Sequence, residues 1–463
     1  MTRTGISTLT AVATVMMLSG CASPGSSIPQ AGKTYTGPLS ADAEAKLRAK
    51  GFGMSDAERD KLENIDRTRL AAQFDFQKLG QPVESPFAGF GFVGAENMPY
   101  AVYRNGKAVT FTPEGTDTEL EQVAPRLNGV VLAGEEHERI VGESPRGTMM
   151  SWNTKDLSQQ VVLRPQNSTF GLTNVFDVGT IENSPYLAMA VEGGRVELWD
   201  LAAGEMVEFT ENKVSQPRQI MDGSAYDDVI YGTNRGEIEE WKPAVDSTKL
   251  YAHAGPVLDI VSVGGRDLIV SSAKDGTVTI YDRKKGEIVH TLEFDTVVYN
   301  LVVAPNNRYA AIFQTFGSPY YIDFDAMESR RLYVGSGAHM TQGRFAKDGT
   351  LLLARENNDM IRVWSMERNS LVARISPEQG GNIVGFAVSD ALGLIAVATT
   401  EGNVEYWNLD TGRYIRTAFH TDTPLIGVEI SPDGTRAVVA QADGQLARWR
   451  VMADKPEKTF MFE

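Results

Sequence analysis

From about residue 128 to the end of the chain, one pattern of apolar and polar positions keeps returning. It is clearest between His253 and His290. There, runs of branched and aromatic residues at 257–263, 268–272, 277–281 and 287–292 alternate with Gly264-Gly265, Asp275-Gly276 and Lys285-Gly286. Short alternating runs joined by such dipeptides are what antiparallel strands linked by hairpins require. The third run of each unit ends on a bulky residue. Trp152, Trp199, Trp241, Trp364, Trp407 and Trp449, which are all six tryptophans of the protein, occupy that phase, and Tyr281 and Ile322 fill its two vacancies. Successive intervals are 47, 42, 40, 41, 42, 43 and 42 residues, the spacing at which four-stranded sheets repeat around an axis.

A single four-stranded sheet has two apolar faces and nothing to bury them, so each unit needs a neighbour on both sides. Closing the row into a ring supplies both neighbours. The pattern therefore predicts an all-β fold, a β-propeller over 128–463 with eight blades, seven being the alternative count. The tryptophans then belong to the packing between blades, where a large ring contributes most by burial.

Ahead of the repeat, 82–113 contains FAGFGFVG and the hairpin YAVYR-NG-KAVTF, marked by Asn105-Gly106. Three roles fit it: half of a ninth blade, a cap on the ring, or a ring-closing strand. A short helical segment is expected at 40–75, where Ser55-Asp56-Ala57-Glu58 forms a capping box. Residues 21–39, rich in Ser, Gly, Pro and Thr, predict a flexible tether. Residues 1–20 carry one arginine and a short apolar run, then end in Leu18-Ser19-Gly20 before Cys21, the only cysteine. The run is too short to span a bilayer and reads as a signal peptide. The tetrapeptide LSGC resembles the lipobox of bacterial lipoproteins, which implies cleavage before Cys21, lipidation of that residue and, with Ala22 following it, an address on the periplasmic leaflet of the outer membrane.

Several blades carry finer matches: Trp199-Asp200, Tyr281-Asp282, SSAKDGTVTIYD, EGNVEYWNLDTGR and SPDGTRAVVAQADGQLARW. In these the chain resembles the WD-repeat (WD40-like) family over about three quarters of its length. The resemblance implies a structural tetrad of His253, Ser271 or Ser272, Asp275 and Tyr281, with a weaker copy in His420, Asp443 and Trp449. Most blades lack the tetrad, which marks a divergent member.

Charge and chemistry narrow the function. The formal charge of −16, with 60 acidic against 44 basic residues, argues against nucleic acid or an anionic membrane surface as ligand. The five histidines fall in different blades and no cysteine pair exists, so no metal site and no haem are expected. No G-x-S-x-G or helix-opening glycine loop appears, and no cofactor or catalytic residue is expected. Aligning the blades places Asn128, Asp177, Gln219, Asp259, Asn300, Gln342, Gly385 and Gly427 at one position of the innermost strand, six of the eight being polar. That polar ring either lines a water-filled axial channel or binds a small solute. Phe316, Tyr320, Tyr321, Arg330 and Arg331 lie together in the blade without a third-strand aromatic at the tryptophan phase, and are candidate partner contacts, although Tyr320 or Tyr321 also suits the role of the missing core aromatic. The expected function is non-enzymatic: an envelope scaffold, lipid-anchored, whose partners are other envelope proteins. The alternatives are a periplasmic solute or glycan binder and a propeller enzyme of the lactonase or quinoprotein kind.

Overall fold

A computed structural model of the chain describes residues 86–460 apart from 94–96, 106, 112–116, 120–128, 134–137, 144–148, 166–173, 182–183, 212–213, 224–227, 335–338, 357–359 and 452–457. The signal peptide, Cys21, the tether, the helical segment at 40–75 and Asn128 lie outside the described residues. Thirty-six strands and no helix are found among the described residues. They form nine four-stranded antiparallel sheets over 87–119, 129–163, 175–211, 217–252, 257–293, 298–331, 340–375, 383–420 and 425–460, here sheets 1 to 9. In every sheet the strands are consecutive in sequence and hydrogen-bonded in that order.

The propeller is therefore nine-bladed, which corrects the expected eight and the alternative seven. The extra sheet is sheet 1. Its strands Phe87–Val93, Met98–Tyr103, Ala108–Phe111 and Asp117–Glu119 lie before the predicted start of the repeat at 128 and make a full sheet rather than a lone hairpin. In the third strand of sheets 2 to 9, the bulky residue pairs with the first or second residue of the preceding strand, as Trp152 pairs with Ile140 and Trp407 with Ile395. In sheet 1 the corresponding place falls to Phe111, 41 residues ahead of Trp152.

Side chains alternate along a strand, so each sheet offers one apolar row to each neighbour. In the second strand of sheet 5, Ile269 packs toward sheet 4 with Tyr251 and Ile238, while Leu268 and Val270 pack toward sheet 6 with Leu301 and Ile312. Nine such clusters alternate with the nine sheets. The last joins Phe87, Ala101, Tyr103 and Val109 of sheet 1 to Ala440 and Leu446 of sheet 9 and closes the ring. Sheets 1 and 9 exchange no strand, and the Tyr103 hydroxyl donates to the Gly444 carbonyl across the seam at 3.0 Å. First strands of neighbouring sheets touch one another, which sets them nearest the axis. The meander places all second-to-third turns and all sheet-to-sheet connections at one end of the ring. The first-to-second and third-to-fourth turns occupy the other end.

Candidate functional site

The tetrad region straddles sheets 4 and 5. His253 follows the outermost strand of sheet 4 (Thr248–Ala252) and is buried. Its Nε2 lies 2.7 Å from the Ser271 hydroxyl and its Nδ1 2.7 Å from the Thr277 hydroxyl. Asp275, in the turn beyond Ser271, accepts from the Thr277 amide at 3.0 Å, the Thr277 hydroxyl at 2.7 Å and the Ala254 amide at 2.7 Å. These contacts fix the direction of the protons. An ionised carboxylate only accepts, so the Thr277 hydrogen points to Asp275 and Nδ1–H of His253 donates to the Thr277 oxygen. Nε2 is then the acceptor for the Ser271 hydroxyl, whose oxygen takes the hydrogen of Tyr251 at 2.8 Å. One directed chain thus runs Tyr251, Ser271, His253, Thr277, Asp275.

Burial holds the His253 imidazole below its ordinary pKa, against the pull of Asp275, and keeps it neutral as the chain requires. Burial pushes the Asp275 carboxyl up, but the hydrogen bonds from Thr277 and Ala254 outweigh it and the pKa is lowered. Every group in the chain is satisfied by a neighbour, so its work is to pin sheet 4 to sheet 5. The structure changes one tetrad assignment. Tyr251, not Tyr281, gives the hydroxyl to Ser271, and Tyr281 stacks on Tyr251 with ring centroids 4.9 Å apart. Thr277 relays between His253 and Asp275. In the weaker copy His420 bonds Asn403 of its own sheet at 2.8 Å, while Phe419 stacks on Trp449 at 5.5 Å.

Other blades use a buried glutamate instead. Glu197 and Glu405 stand two residues before Trp199 and Trp407, are fully buried, and accept the indole N–H at 3.0 and 3.2 Å. Glu405 also accepts the amides of Glu378 and Gln379 at 2.9 and 2.8 Å, fixing the connection from sheet 7. Burial raises the Glu197 pKa, opposed by the Trp199 hydrogen bond and Arg195. Glu239, in the same place before Trp241, takes the hydroxyls of Tyr231 and Ser247. The signal for these residues is a Glu-x-Trp triplet present in three blades. A glutamate in a strand is ordinarily solvated, so the triplet alone does not mark these residues as buried.

The predicted polar ring is only partly assembled. Counting strand register from the bulky third-strand residue puts Gly89, Gly129, Asp177, Gln219, Asp259, Asn300, Gln342, Gly385 and Gly427 at equivalent positions in sheets 1 to 9. The place assigned to Asn128 belongs to Gly129, since a slip of one residue in a strand turns every side chain to the other face. Five polar residues form one arc, in sheets 3 to 7, and four glycines the other. Asp177 accepts the Ile220 amide of sheet 4 at 2.8 Å. Asp259 accepts the Ile260 amide at 2.9 Å and the Leu301 amide of sheet 6 at 2.7 Å, and is buried. These two carboxylates therefore clamp backbone between sheets.

The candidate contacts in sheet 6 divide in two. Tyr321 is buried and donates to the Met366 carbonyl at 3.3 Å, and Tyr320 meets Phe294 edge-on at 5.1 Å. Arg330 is paired with Glu328 at 3.1 Å. Phe316, by contrast, is 69% exposed in the turn between the second and third strands, and the Arg331 guanidinium lies over the ring of Tyr333, 5.7 Å from its centroid. Among the described residues no cluster of three or more His, Cys, Asp or Glu side chains has the form of a metal site.

Comparison with known proteins supports a WD40-like propeller. The chain is 21% identical over 191 residues to the target of rapamycin complex subunit wat1 of fission yeast, covering 40% of this chain and 59% of that protein. It is 27% identical over 132 residues to the small ribosomal subunit protein RACK1y of rice, covering 26% of this chain and 37% of that one. Human apoptotic protease-activating factor 1 matches at 22% over 260 residues, 54% of this chain and 20% of its own length. The chain thus spans about three fifths or less of each of these relatives. No protein-family model matches. Among solved structures, the computationally designed Ika8 protein aligns with a TM-score of 0.51 and 17% identity over 69% of this chain and 96% of its own, a likeness of fold alone.

Proposed function

We propose that this protein is a protein-interaction scaffold, a rigid ring that presents one end to partner proteins. The observation that carries this reading is the contrast on sheet 6. A ring whose interfaces are closed by nine buried clusters holds Phe316 and Tyr333 at 69% and 62% exposure at a single sheet end. Large aromatic side chains on a rigid support are the usual anchors of protein interfaces. The relatives' names, those of a complex subunit, a ribosomal-subunit protein and a protease-activating factor, favour a non-enzymatic role.

The lipobox-like LSGC ending at Cys21 supports a lipid anchor in the outer membrane of a bacterial envelope, with the ring on a tether and its partners among envelope proteins. Several acyl chains on one residue suffice for stable anchoring, because each buried methylene contributes about 0.8 kcal/mol. The test is co-purification of the full chain from detergent-solubilised envelopes beside a Cys21→Ala variant. The expected result is a stoichiometric set of polypeptides with the native chain and loss of membrane sedimentation in the variant. A clean apo protein with no polypeptide at stoichiometry, or unchanged sedimentation of Cys21→Ala, contradicts the scaffold and the anchor respectively.

A further inference from the structure

We infer that the open end of sheet 6 is a docking ledge for an extended segment of a partner protein that carries a carboxylate beside a large apolar side chain. The inference rests on the scaffold reading and names the chemistry of its partner.

Sheet 6 is built differently from its neighbours at this end. Its third and fourth strands, Tyr320–Asp323 and Glu328–Arg331, have four residues each, whereas those of sheet 5 have six and seven and those of sheet 7 six each. The shortening leaves Thr315-Phe316-Gly317-Ser318-Pro319 as a five-residue turn, against three residues at the same place in sheets 3, 4, 5 and 8. Gly317 has φ of +104° with no heavy atom within 4 Å of where a side chain would start. The turn is nevertheless held. The Leu332 amide donates to the Pro319 carbonyl at 2.8 Å and the Val334 amide to the Ser318 hydroxyl at 3.3 Å. Thr296 donates to the Phe316 carbonyl at 3.3 Å. The braced turn thus holds its one large side chain in solvent.

From Phe316 an aromatic row leads inward. Its ring centroid is 6.3 Å from that of His339, which is 6.1 Å from that of Tyr299. Tyr299 sits in the first strand, at the bulge where Leu258, Val384 and Ile426 occupy the corresponding half-buried positions of sheets 5, 8 and 9. The row therefore leads from the exposed turn to the first strand of sheet 6. On the other flank stands Arg331. Among the described residues no carboxylate lies within ion-pair reach of it, although Arg330 beside it is paired with Glu328 at 3.1 Å. Its guanidinium rests over Tyr333, which is itself 62% exposed.

In a chain of formal charge −16, an exposed guanidinium laid on an exposed aromatic ring is a local reversal of sign. A carboxylate is the complement of that group, and a large apolar side chain the complement of the row at Phe316.

The test pans a random linear peptide library displayed on phage against the full chain, followed by binding of the selected peptides to the native protein and to Phe316→Ser, Arg331→Glu and Val245→Ser. Val245 is 63% exposed in sheet 4 and serves as a remote apolar control. The ledge predicts selected peptides with Asp or Glu close to Leu, Phe or Trp, roughly tenfold or greater loss of affinity on Phe316→Ser and Arg331→Glu, and none on Val245→Ser. It also predicts loss of binding when the peptide's acid is changed to Lys. All three variants melt with the native protein, as the changed side chains are solvent-exposed. Peptides without an acid, or peptides that bind Arg331→Glu as tightly as the native chain, overturn the ledge while leaving a scaffold with another face. Absence of any selection overturns the ledge too, and the scaffold then stands or falls on the envelope co-purification.

Discussion

At one register position of the first strands, sheets 3 to 7 carry Asp177, Gln219, Asp259, Asn300 and Gln342, whereas sheets 8, 9, 1 and 2 carry Gly385, Gly427, Gly89 and Gly129. Both halves face the same problem. Twisted strands converge near the axis, and the gaps between them must be filled without orphaning backbone amides. The polar half fills the gap with side chains, two of which accept amides of the neighbouring sheet. The glycine half removes the side chain, and its surroundings close on the space. A Cβ on Gly385 would lie 3.3 Å from the Gly427 Cα, one on Gly427 3.1 Å from the Phe90 ring, and one on Gly89 2.9 Å from Val130. The seam between sheets 9 and 1, the one interface of the ring with no chain connection, falls in the glycine half. Close packing substitutes there for covalent continuity.

That contrast is open to direct attack, and the largest effect is expected where the two solutions are swapped. Gly427→Asp introduces a Cβ 3.1 Å from the Phe90 ring and a carboxylate into a close-packed seam, costing about 3 kcal/mol or more from strain and desolvation. A melting temperature equal to that of the native chain would show that the glycine half is not close-packed for stability. Next, Asp259→Ala leaves the Ile260 and Leu301 amides without their acceptor, a loss of about 1–3 kcal/mol measurable by urea unfolding. Asp259→Asn, which keeps one acceptor oxygen, should recover part of it. An alanine variant as stable as the native chain would reduce the polar arc to filler.

A smaller effect belongs to pH. Because burial holds the His253 pKa below its ordinary value of 6.5, the folded chain binds that proton less readily than the unfolded one. Its contribution is complete above 6.5 and declines as pH falls from there toward the lower folded value. Thermal melts between neutral and mildly acid pH should therefore fall less steeply for His253→Gln than for the native chain. Parallel pH curves for the two proteins would remove His253 from the account. The smallest change is expected for Asp177→Asn, which keeps an oxygen for the Ile220 amide and should cost no more than about 1 kcal/mol.

The repeat was legible because tryptophan is rare and its phase hard to mistake, so strand order and the blade boundaries from Trp152 onward follow from spacing alone. Sheet 1 escaped the count because Phe111, a common residue, holds the marker position, and because its last strand has only three residues. The polar residues were found as a set, but whether a carboxylate faces a channel or an amide of the next sheet is a matter of packing that no one-dimensional pattern carries. The same holds for the tetrad. Spacing selected His253, Ser271 and Asp275, while the hydroxyl of Tyr251 enters from the preceding sheet, twenty residues before Ser271. In sheet 6 the sequence grouped five candidates, and packing and pairing separate Phe316 and Arg331 from Tyr320 and Tyr321, which pack inward, and from Arg330, which pairs with Glu328.

The claim on which the ring depends is that sheet 1 is a structural member of it, joined to sheet 9. Calorimetry of Ala101→Asp tests this most directly, because Ala101 is fully buried in the cluster that bridges the two sheets. If sheet 1 closes the ring, an unpaired carboxylate there lowers the main unfolding transition as a whole. If the main transition stays at its native temperature and a small separate one appears below it, sheet 1 is an appendage and the nine-bladed closure is wrong.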